Sequence, residues 1–511
     1  MTHLQDATSS PVVRWAGLVG APLVAVAVYM LLAGAAADGS LPESGRRVIG
    51  VAVLMAGWWL TEAVPLAATS LVPLVLFPLL GVMPMKAAAA PYADELIFLF
   101  LGGFLLGRAF ERSGLHRRVA LLTLLGVGSR PRAVIAGVMG ATACISMWVS
   151  NTATAIMMMP IALSLVALVE HSVAAHGEGS HGWDGVQVRR FTIALLLGLA
   201  YGASIGGMGT PLGTPPNLTF VSTARELLGE EFSFYRWSKV GAPMVAILMP
   251  LAWVMLVYVL HPVKAKSIPG GKDFVRSQLS GLGRVRVGEA VTLGVFVVAV
   301  SLWIGREWLT GALELRHVGA DGKTWAPLTD GVVAIAAALA LFLIPAGGWK
   351  AAPVLHSSDV ETVPWSILLL FGGGLSLAAA MKASGVDLYL GSLFTGLHGL
   401  PRPVLLLVIV ASITLLSELA SNTAVAAATL PVLASAAGGL GVHPYVLMIP
   451  ATLAASCGFM LPVATPPNAI VFGSGRISMR QMLVAGMGMD AISVVVIVLF
   501  FWALGPTLLS I

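Results

Sequence analysis

Ser150-Asn151-Thr152 occurs a second time as Ser421-Asn422-Thr423, and its surroundings repeat with it. Gly102-Gly103 precedes the first copy and Gly373-Gly374 the second. Ser113-Gly114 is matched by Ser384-Gly385, Ser146 by Ser417 and Pro160 by Pro431. Every pair is separated by the same interval, so positions 102–160 align with 373–431 without a gap. Further on, Gly213-Thr214-Pro215-Pro216-Asn217 is answered by Ala464-Thr465-Pro466-Pro467-Asn468, at a shorter interval. The shortening falls where the first half carries a polar loop, His171 to Arg190. This is an internal duplication with one loop difference, and such a repeat decides the architecture before any single element does.

Composition fixes the solvent. Hydrophobic residues make up 57% of the chain and charged ones 10%, with mean hydropathy +0.91. A soluble domain would carry about a quarter charged. Apolar runs of bilayer-spanning length recur throughout, so the chain reads as a polytopic protein of the plasma (inner) membrane. The pI near 9.3 is no nucleic-acid signal here, because Lys and Arg sit in short loops between apolar runs, where they set orientation. Cys144 and Cys457 both lie in apolar stretches and are expected as free, buried thiols. The N-terminal stretch before Trp15 is polar, and the run after it lacks a small-residue cleavage site. It reads as a retained helix rather than a signal peptide.

In order, the expected spans are Trp15 to Leu32, Val48 to Leu60, Leu66 to Val82 and Leu96 to Phe110. Thr61-Glu62-Ala63-Val64-Pro65 makes the turn between the second and third. The loop bearing Arg108, Arg112, Arg117, Arg118, Arg130 and Arg132 is placed in the cytoplasm by the positive-inside rule, and the N-terminus with it. Phe191 to Met208 and Gly241 to Leu260 follow, then a basic junction with Lys264, Lys266, Lys272, Arg276, Arg284 and Arg286. The second half supplies Ala290 to Ile304, Gly331 to Ile344, Trp365 to Ala380 and Val446 to Pro462, and Met482 to Leu504 ends the chain outside. The stretch from Gly305 to Asp330 reads as an external loop. Few basic residues lie between Lys382 and Arg402, so that flank is placed outside, and the two repeats are inverted in the membrane.

Four segments break the pattern. Ala133 to Leu168 and Pro403 to Ala437 are apolar at both ends, with Ser146 or Ser417 and a Ser-Asn-Thr at the centre. A continuous helix is the plain alternative, since Ser and Thr can bond back to the preceding turn. Each segment is too long for one span at about 1.5 Å per residue, which favours re-entrant hairpins with the tripeptides at their tips. The breaks at residues 209–217 and 464–468 are rich in proline that no α-helix continues through. Interrupted helices at matching positions of two repeats point to a transporter binding site. The expected fold is all-α: about 11 transmembrane helices, two re-entrant hairpins and two inverted repeats with broken helices at the midplane.

Helix N-termini carry unpaired N–H groups and partial positive charge, which attract anions. Free carbonyls at helix C-terminal ends, with Ser and Asn oxygens, suit Na⁺. None of the four segments contains Lys or Arg, so an anion there depends on dipoles and co-bound cations. A proton-coupled carrier would use an intramembrane acid, for which Glu62 and Glu418 are the candidates.

The two Ser-Asn-Thr tripeptides, the two Thr-Pro-Pro-Asn breaks and Thr61-Glu62-Ala63-Val64-Pro65 together resemble the divalent anion/sodium symporters, INDY-type in bacteria, over nearly the whole chain. The resemblance implies a homodimer with an elevator-like motion. Scaffold segments would span residues 15–118 and 285–390, and a mobile transport domain residues 130–262 and 400–508. It implies one sodium site at Ser146, Ser150, Asn151 and Gly213 and another at Ser417, Ala420, Asn422 and Ala464. Substrate carboxylates would meet Asn151, Thr152, Asn422 and Thr423, with Thr214, Pro215, Thr465 and Pro466 lining the cavity. Sodium-coupled uptake of di- or tricarboxylates is the implied function, with Na⁺ co-transported, no organic cofactor and lipid as surroundings. A sodium-independent dicarboxylate exchanger and a sulfate or other oxyanion carrier stay open. A membrane-embedded enzyme would need a nucleophile–base pair or metal ligands inside a span. The histidines sit mostly in loops, as at His171, His176 and His181.

Overall fold

The computed structural model describes residues 11–34, 40–176, 182–314, 317–318, 324–347, 351–393, 399–505 and 507. The polar first residues, His181 and residues 315–316 and 319–323 of the Gly305–Asp330 stretch fall outside them. The described chain is helical, apart from a short strand pair, His317–Val318 with Thr324–Trp325, and one isolated bridge between Pro345 and Pro353. Among the described residues ten helices are long and apolar enough to cross a membrane, and four more apolar helices are shorter.

The helices begin where their sequences say they should. Asp94, Asp184 and Ser233 accept from the N–H groups of Leu96, Gln187 and Arg236 at 2.9, 2.6 and 3.2 Å, satisfying donors that a first turn leaves free. Proline stands in the first turn of Pro131–Ser146, Pro215–Thr223, Pro444–Ala455 and Pro466–Gly473, where its missing donor costs nothing. For that reason each break ends at its Thr-Pro, and the Asn of the motif is already helical.

Neither tripeptide lies inside a continuous helix. Helix Pro131–Ser146 stops, residues 147–150 turn, and Asn151–His176 begins. Arg402–Leu419 is followed, after Ala420 and Ser421, by Asn422–Leu440. Several stretches expected as loops are helical instead. Leu115–Val127 and Gly271–Gly281 are amphipathic and too short to span, so hydropathy passes over them. Val287–Ala312 runs on beyond Ile304, and Asn151–His176 extends past Glu170. The expected third span is two short helices, Leu66–Thr69 and Val72–Leu79. Both cysteines are free, but only Cys457 is buried. Cys144 lies on the exposed side of its helix.

Packing interleaves the halves. The largest apolar core draws on residues between Phe110 and Val275 and between Leu406 and Phe501. A second joins Ile97–Ala109 to residues between Ala299 and Phe371, and a third joins Leu41–Ala88 to residues between Leu370 and Ala427. The repeated glycine pair has a steric reason. A Cβ on Gly102 would stand 2.5 Å from the Ala334 carbonyl carbon, and one on Gly373 would stand 2.7 Å from the Ser70 Cα. Both mark places where two backbones cross in contact.

The basic residues near residue 110 are not a free loop. Arg108 and Arg112 each pair with the buried Asp359 at 3.0 Å, and Arg118 pairs with buried Glu289 at 2.9 Å. These contacts tie the end of helix Glu95–Arg112 and the start of Leu115–Val127 to the second half.

Candidate functional site

The first tip folds back on the first break. Ser146 is fully buried; its Oγ lies 2.7 Å from the Ala203 carbonyl oxygen and 2.6 Å from Asn151 Oδ1. A hydroxyl has one proton, so it can serve only one of these two acceptors. The rest of the surroundings are also oxygen. A Cβ on Gly207 would stand 2.5 Å from Asn151 Oδ1, and a Cβ on Gly213 would press on the Gly207 carbonyl and stand 2.9 Å from the Ser146 carbonyl oxygen. Asn151 Oδ1 therefore points among acceptors. With its carboxamide turned over, the nitrogen would donate to Ser146 Oγ at 2.6 Å, Ala203 O at 3.0 Å and Gly213 O at 3.3 Å. The cluster is satisfied either by that amide nitrogen or by a cation among the oxygens.

The second tip repeats the arrangement. Ser417 Oγ lies 2.7 Å from Asn422 Oδ1 and 2.5 Å from the Ala455 carbonyl oxygen, again with one proton for two acceptors. Ala455 is the counterpart of Ala203 to within a single position of the interval that relates the two break motifs. Ala464 stands where the first half has Gly213, so this cage already contains a methyl group.

Each break is braced by its motif asparagine. Asn217 Nδ2 donates to Gly207 O at 3.0 Å and Thr210 O at 2.8 Å. Asn468 Nδ2 donates to Gly458 O and Leu461 O, both at 3.1 Å. Donors and recipients are related by the same interval as the motifs themselves. These side chains brace the non-helical backbone: they are the side-chain donors to Gly207 O and Gly458 O, while Thr210 O and Leu461 O also accept from Gly213 N at 3.3 Å and Ala464 N at 3.2 Å. Trp237 Nε1 also donates to Met208 O at 3.0 Å, and the Thr210 hydroxyl donates to Met147 O.

The tips also present polar side chains. Asn151, Thr152, Asn422 and Thr423 are half-buried in the first turns of their helices. Among the described residues the Thr152 and Thr423 hydroxyls make no hydrogen bond within the protein, which leaves them for a ligand. Helix Pro215–Thr223 packs along Asn422–Leu440, and Pro466–Gly473 packs along Asn151–His176, so each break sits against the other repeat's tip helix. Thr214 and Thr465 are buried, Pro215 is half-buried and Pro466 is exposed.

Of the expected cation ligands, the fold brings Ser146, Asn151 and Gly213 together, and Ser417 with Asn422. The Ser150 hydroxyl is otherwise engaged, accepting from Ala153 N at 3.3 Å as a helix cap. Ala464 Cβ lies 3.2 Å from where a Gly458 Cβ would be. Ala420 is half-buried in the turn before Ser421. Among the described residues Glu418 makes no ion pair. Its two oxygens accept from Met460 N at 2.8 Å and Leu461 N at 2.9 Å. The carbonyls of Ala203 and Ala455 carry no side-chain signal, so sequence could not reveal them. Asn217 and Asn468 are visible in the repeated motif, but their bracing role is not.

Helix-flanked breaks, matched tips and paired oxygen cages define a membrane carrier built from two repeats. The family model for the sodium:sulfate symporter transmembrane region matches residues 14–511. The chain belongs to that family, the divalent anion/sodium symporters, whose members are transporters and not enzymes. It is 39% identical over 496 residues to the sodium-dependent dicarboxylate transporter SdcS of Staphylococcus saprophyticus, covering 97% of this chain and 92% of that one. It is 38% identical over 472 residues to the protein of the same name from Staphylococcus aureus, covering 92% and 88%. Two solved structures share the fold. The YdaH transporter of Alcanivorax borkumensis superposes with a TM-score of 0.53 at 16% identity, over 83% of this chain and 87% of that one. MtrF of Neisseria gonorrhoeae gives 0.51 at 14% identity, over 84% and 83%.

Proposed function

We propose that this protein is a secondary active transporter that couples the uptake of dicarboxylates, of the succinate, malate and fumarate class, to Na⁺. The observation that carries the reading is the pair of matched tips, in each of which a buried serine hydroxyl, an asparagine side chain and a facing backbone carbonyl converge. A monovalent hard cation suits the oxygens that each tip gathers, with the asparagine carbonyl turned toward it. The Asn151 and Asn422 side chains then sit between the cation and the anion, and Thr152 and Thr423 offer hydroxyls to the carboxylates. The names of the most similar relatives favour a dicarboxylate over sulfate and symport over sodium-independent exchange. The test is uptake of labelled succinate and of sulfate into proteoliposomes, each with and without an inward Na⁺ gradient. Succinate uptake that is equal in Na⁺ and in choline would move the reading to an exchanger.

In the same reading residues 130–262 and 400–508 form a mobile transport domain. Residues 15–118 and 285–390 form the scaffold of a homodimer, across which the domain moves like an elevator. The largest apolar core, drawn mainly from the two transport segments, supports this division. The N-terminus lies in the cytoplasm and the C-terminus outside. Labelling of single cysteines placed at either end, in intact cells, tests the orientation. Crosslinking across a scaffold surface in the membrane tests the dimer.

A further inference from the structure

Outside the two cages, a third group of buried polar atoms is left without partners. Asp490 lies near the middle of helix Met479–Ala503 and is 6% exposed. It approaches the Glu418 carboxylate and the Phe459 backbone N–H, but neither contact has the distance and angle of a good hydrogen bond. Glu418 is buried too, and its backbone donors leave it an acceptor toward Asp490. Tyr201 and Cys457 are the other titratable groups facing the two acids, and no basic side chain does so among the described residues. Ser493 follows Asp490 by one turn. The Tyr201 and Ser493 hydroxyls are fully buried; neither makes a well-formed hydrogen bond, and Ser493 has the Cys457 thiol as its neighbour.

Two carboxylates side by side out of water, with no cation opposite, are strongly unfavourable. At the centre of a membrane helix such groups mark ion paths rather than packing. Beside the Cys457 thiol, the available atoms are hard oxygens: two carboxylates, a phenol and a serine hydroxyl. That donor set suits an alkali or other hard cation rather than a soft metal.

We infer that Asp490 and Glu418, with Tyr201 and Ser493, form a third monovalent-cation site beside the second cage. The inference rests on the sodium-coupled reading above. The site is linked to that cage by chain and by contact. Glu418 directly follows Ser417, and it holds Met460 and Leu461 of the break that Asn468 braces. A cation here therefore fixes the backbone that frames the second cage. The first half has no equivalent, because Met147 stands where the repeat would place Glu418. Cation binding is asymmetric between the repeats.

The experiment is equilibrium binding of ²²Na⁺ to the purified full-length protein without substrate, together with the Na⁺ dependence of succinate uptake in proteoliposomes. Asp490→Asn keeps the shape and removes the charge. It is expected to lose one Na⁺ per protomer and to lower the Hill coefficient for Na⁺ by about one. Ser493→Ala and Tyr201→Phe each remove one neutral ligand and keep both acids. They are expected to raise half-saturating Na⁺ by roughly 10- to 150-fold, the effect of one lost charged-group hydrogen bond or ligand, and they carry the test if Asp490→Asn does not fold. An unchanged Na⁺ count in Asp490→Asn, or unchanged half-saturation in both hydroxyl variants, overturns the site and leaves the acids as a neutral structural pair. Absence of Na⁺ binding to the unaltered protein would instead defeat the sodium-coupled reading itself.

Discussion

Gly213→Ala tests the first cage without removing any proposed ligand. The added methyl carbon would press on the Gly207 carbonyl oxygen and stand 2.8 Å from the Gly207 Cα and 2.9 Å from the Ser146 carbonyl oxygen. All three are backbone atoms, held by Asn217 and by the Thr210 bond to Met147, so no flexible side chain can give way. Overpacking against such surroundings costs about 1–3 kcal/mol. If that cost falls on the cation-bound state, Na⁺ affinity drops roughly 5- to 150-fold. Gly458→Ala puts a methyl at the second break, where the nearest atoms are Ala464 Cβ and Ser417 O, both at 3.2 Å. A small shift of these neighbours suffices there, and a few-fold effect is expected. Gly374→Ala, with nothing within 4 Å, is the control. The assay is a Na⁺ titration of succinate uptake at matched protein density, with thermal stability measured in parallel. Gly213→Ala with the half-saturating Na⁺ of the Gly374→Ala control, in a folded protein, would refute the cage.

Three further outcomes are expected. Asn151→Ala and Asn422→Ala each remove a carbonyl oxygen and an amide donor and should abolish Na⁺-dependent uptake in a folded protein; retained uptake with unchanged Na⁺ dependence in both rejects the assignment. Thr152→Val and Thr423→Val should raise the succinate KM about 10- to 150-fold through one lost hydrogen bond to a charged group while leaving substrate-free ²²Na⁺ binding intact. Burial raises the Asp359 carboxyl, but the His356 N–H, Arg108 and Arg112 outweigh it and hold the group below the usual carboxylate range. A lowered folded value means the contribution is present above about pH 4 and is lost as pH falls through the folded value. Asp359→Asn should cost ~1–2 kcal/mol at neutral pH, since both arginines are about a third exposed. It should also flatten the acid side of the melting-temperature profile in detergent; a profile unchanged by the mutation excludes the clamp.

What the sequence makes legible is what stands out in an apolar background. The tripeptides, the prolines and the constant intervals between copies are visible because polar or helix-breaking residues are conspicuous there. The helices Leu115–Val127 and Gly271–Gly281 are not, because a short amphipathic helix has neither the length nor the hydropathy of a span. The clamp on Asp359 is hidden because its arginines lie 251 and 247 residues away along the chain and read as orientation charges. The cage carbonyls of Ala203 and Ala455 are backbone atoms on apolar residues, which leave no mark in a sequence. Asp490 is legible in principle. A lone acid in the middle of a 25-residue apolar helix is itself the signal, but a span defined by its mean hydropathy averages that acid away.

The number of cations bound with each anion has an electrical meaning. Fixed protein charges return to their starting side with every cycle, so the net charge carried inward is that of the ions alone. A dianion with two Na⁺ crosses as a neutral load and is indifferent to membrane voltage. With one more Na⁺, at Asp490, each turnover carries one positive charge. Every 100 mV, inside negative, then adds about 2.3 kcal/mol to the driving force, roughly 50-fold in attainable accumulation. A potassium diffusion potential imposed on proteoliposomes distinguishes the two cases. The occupancy of one buried acid pair would thus decide whether the cell's voltage, or its salt gradient alone, sets how far a dicarboxylate can be concentrated.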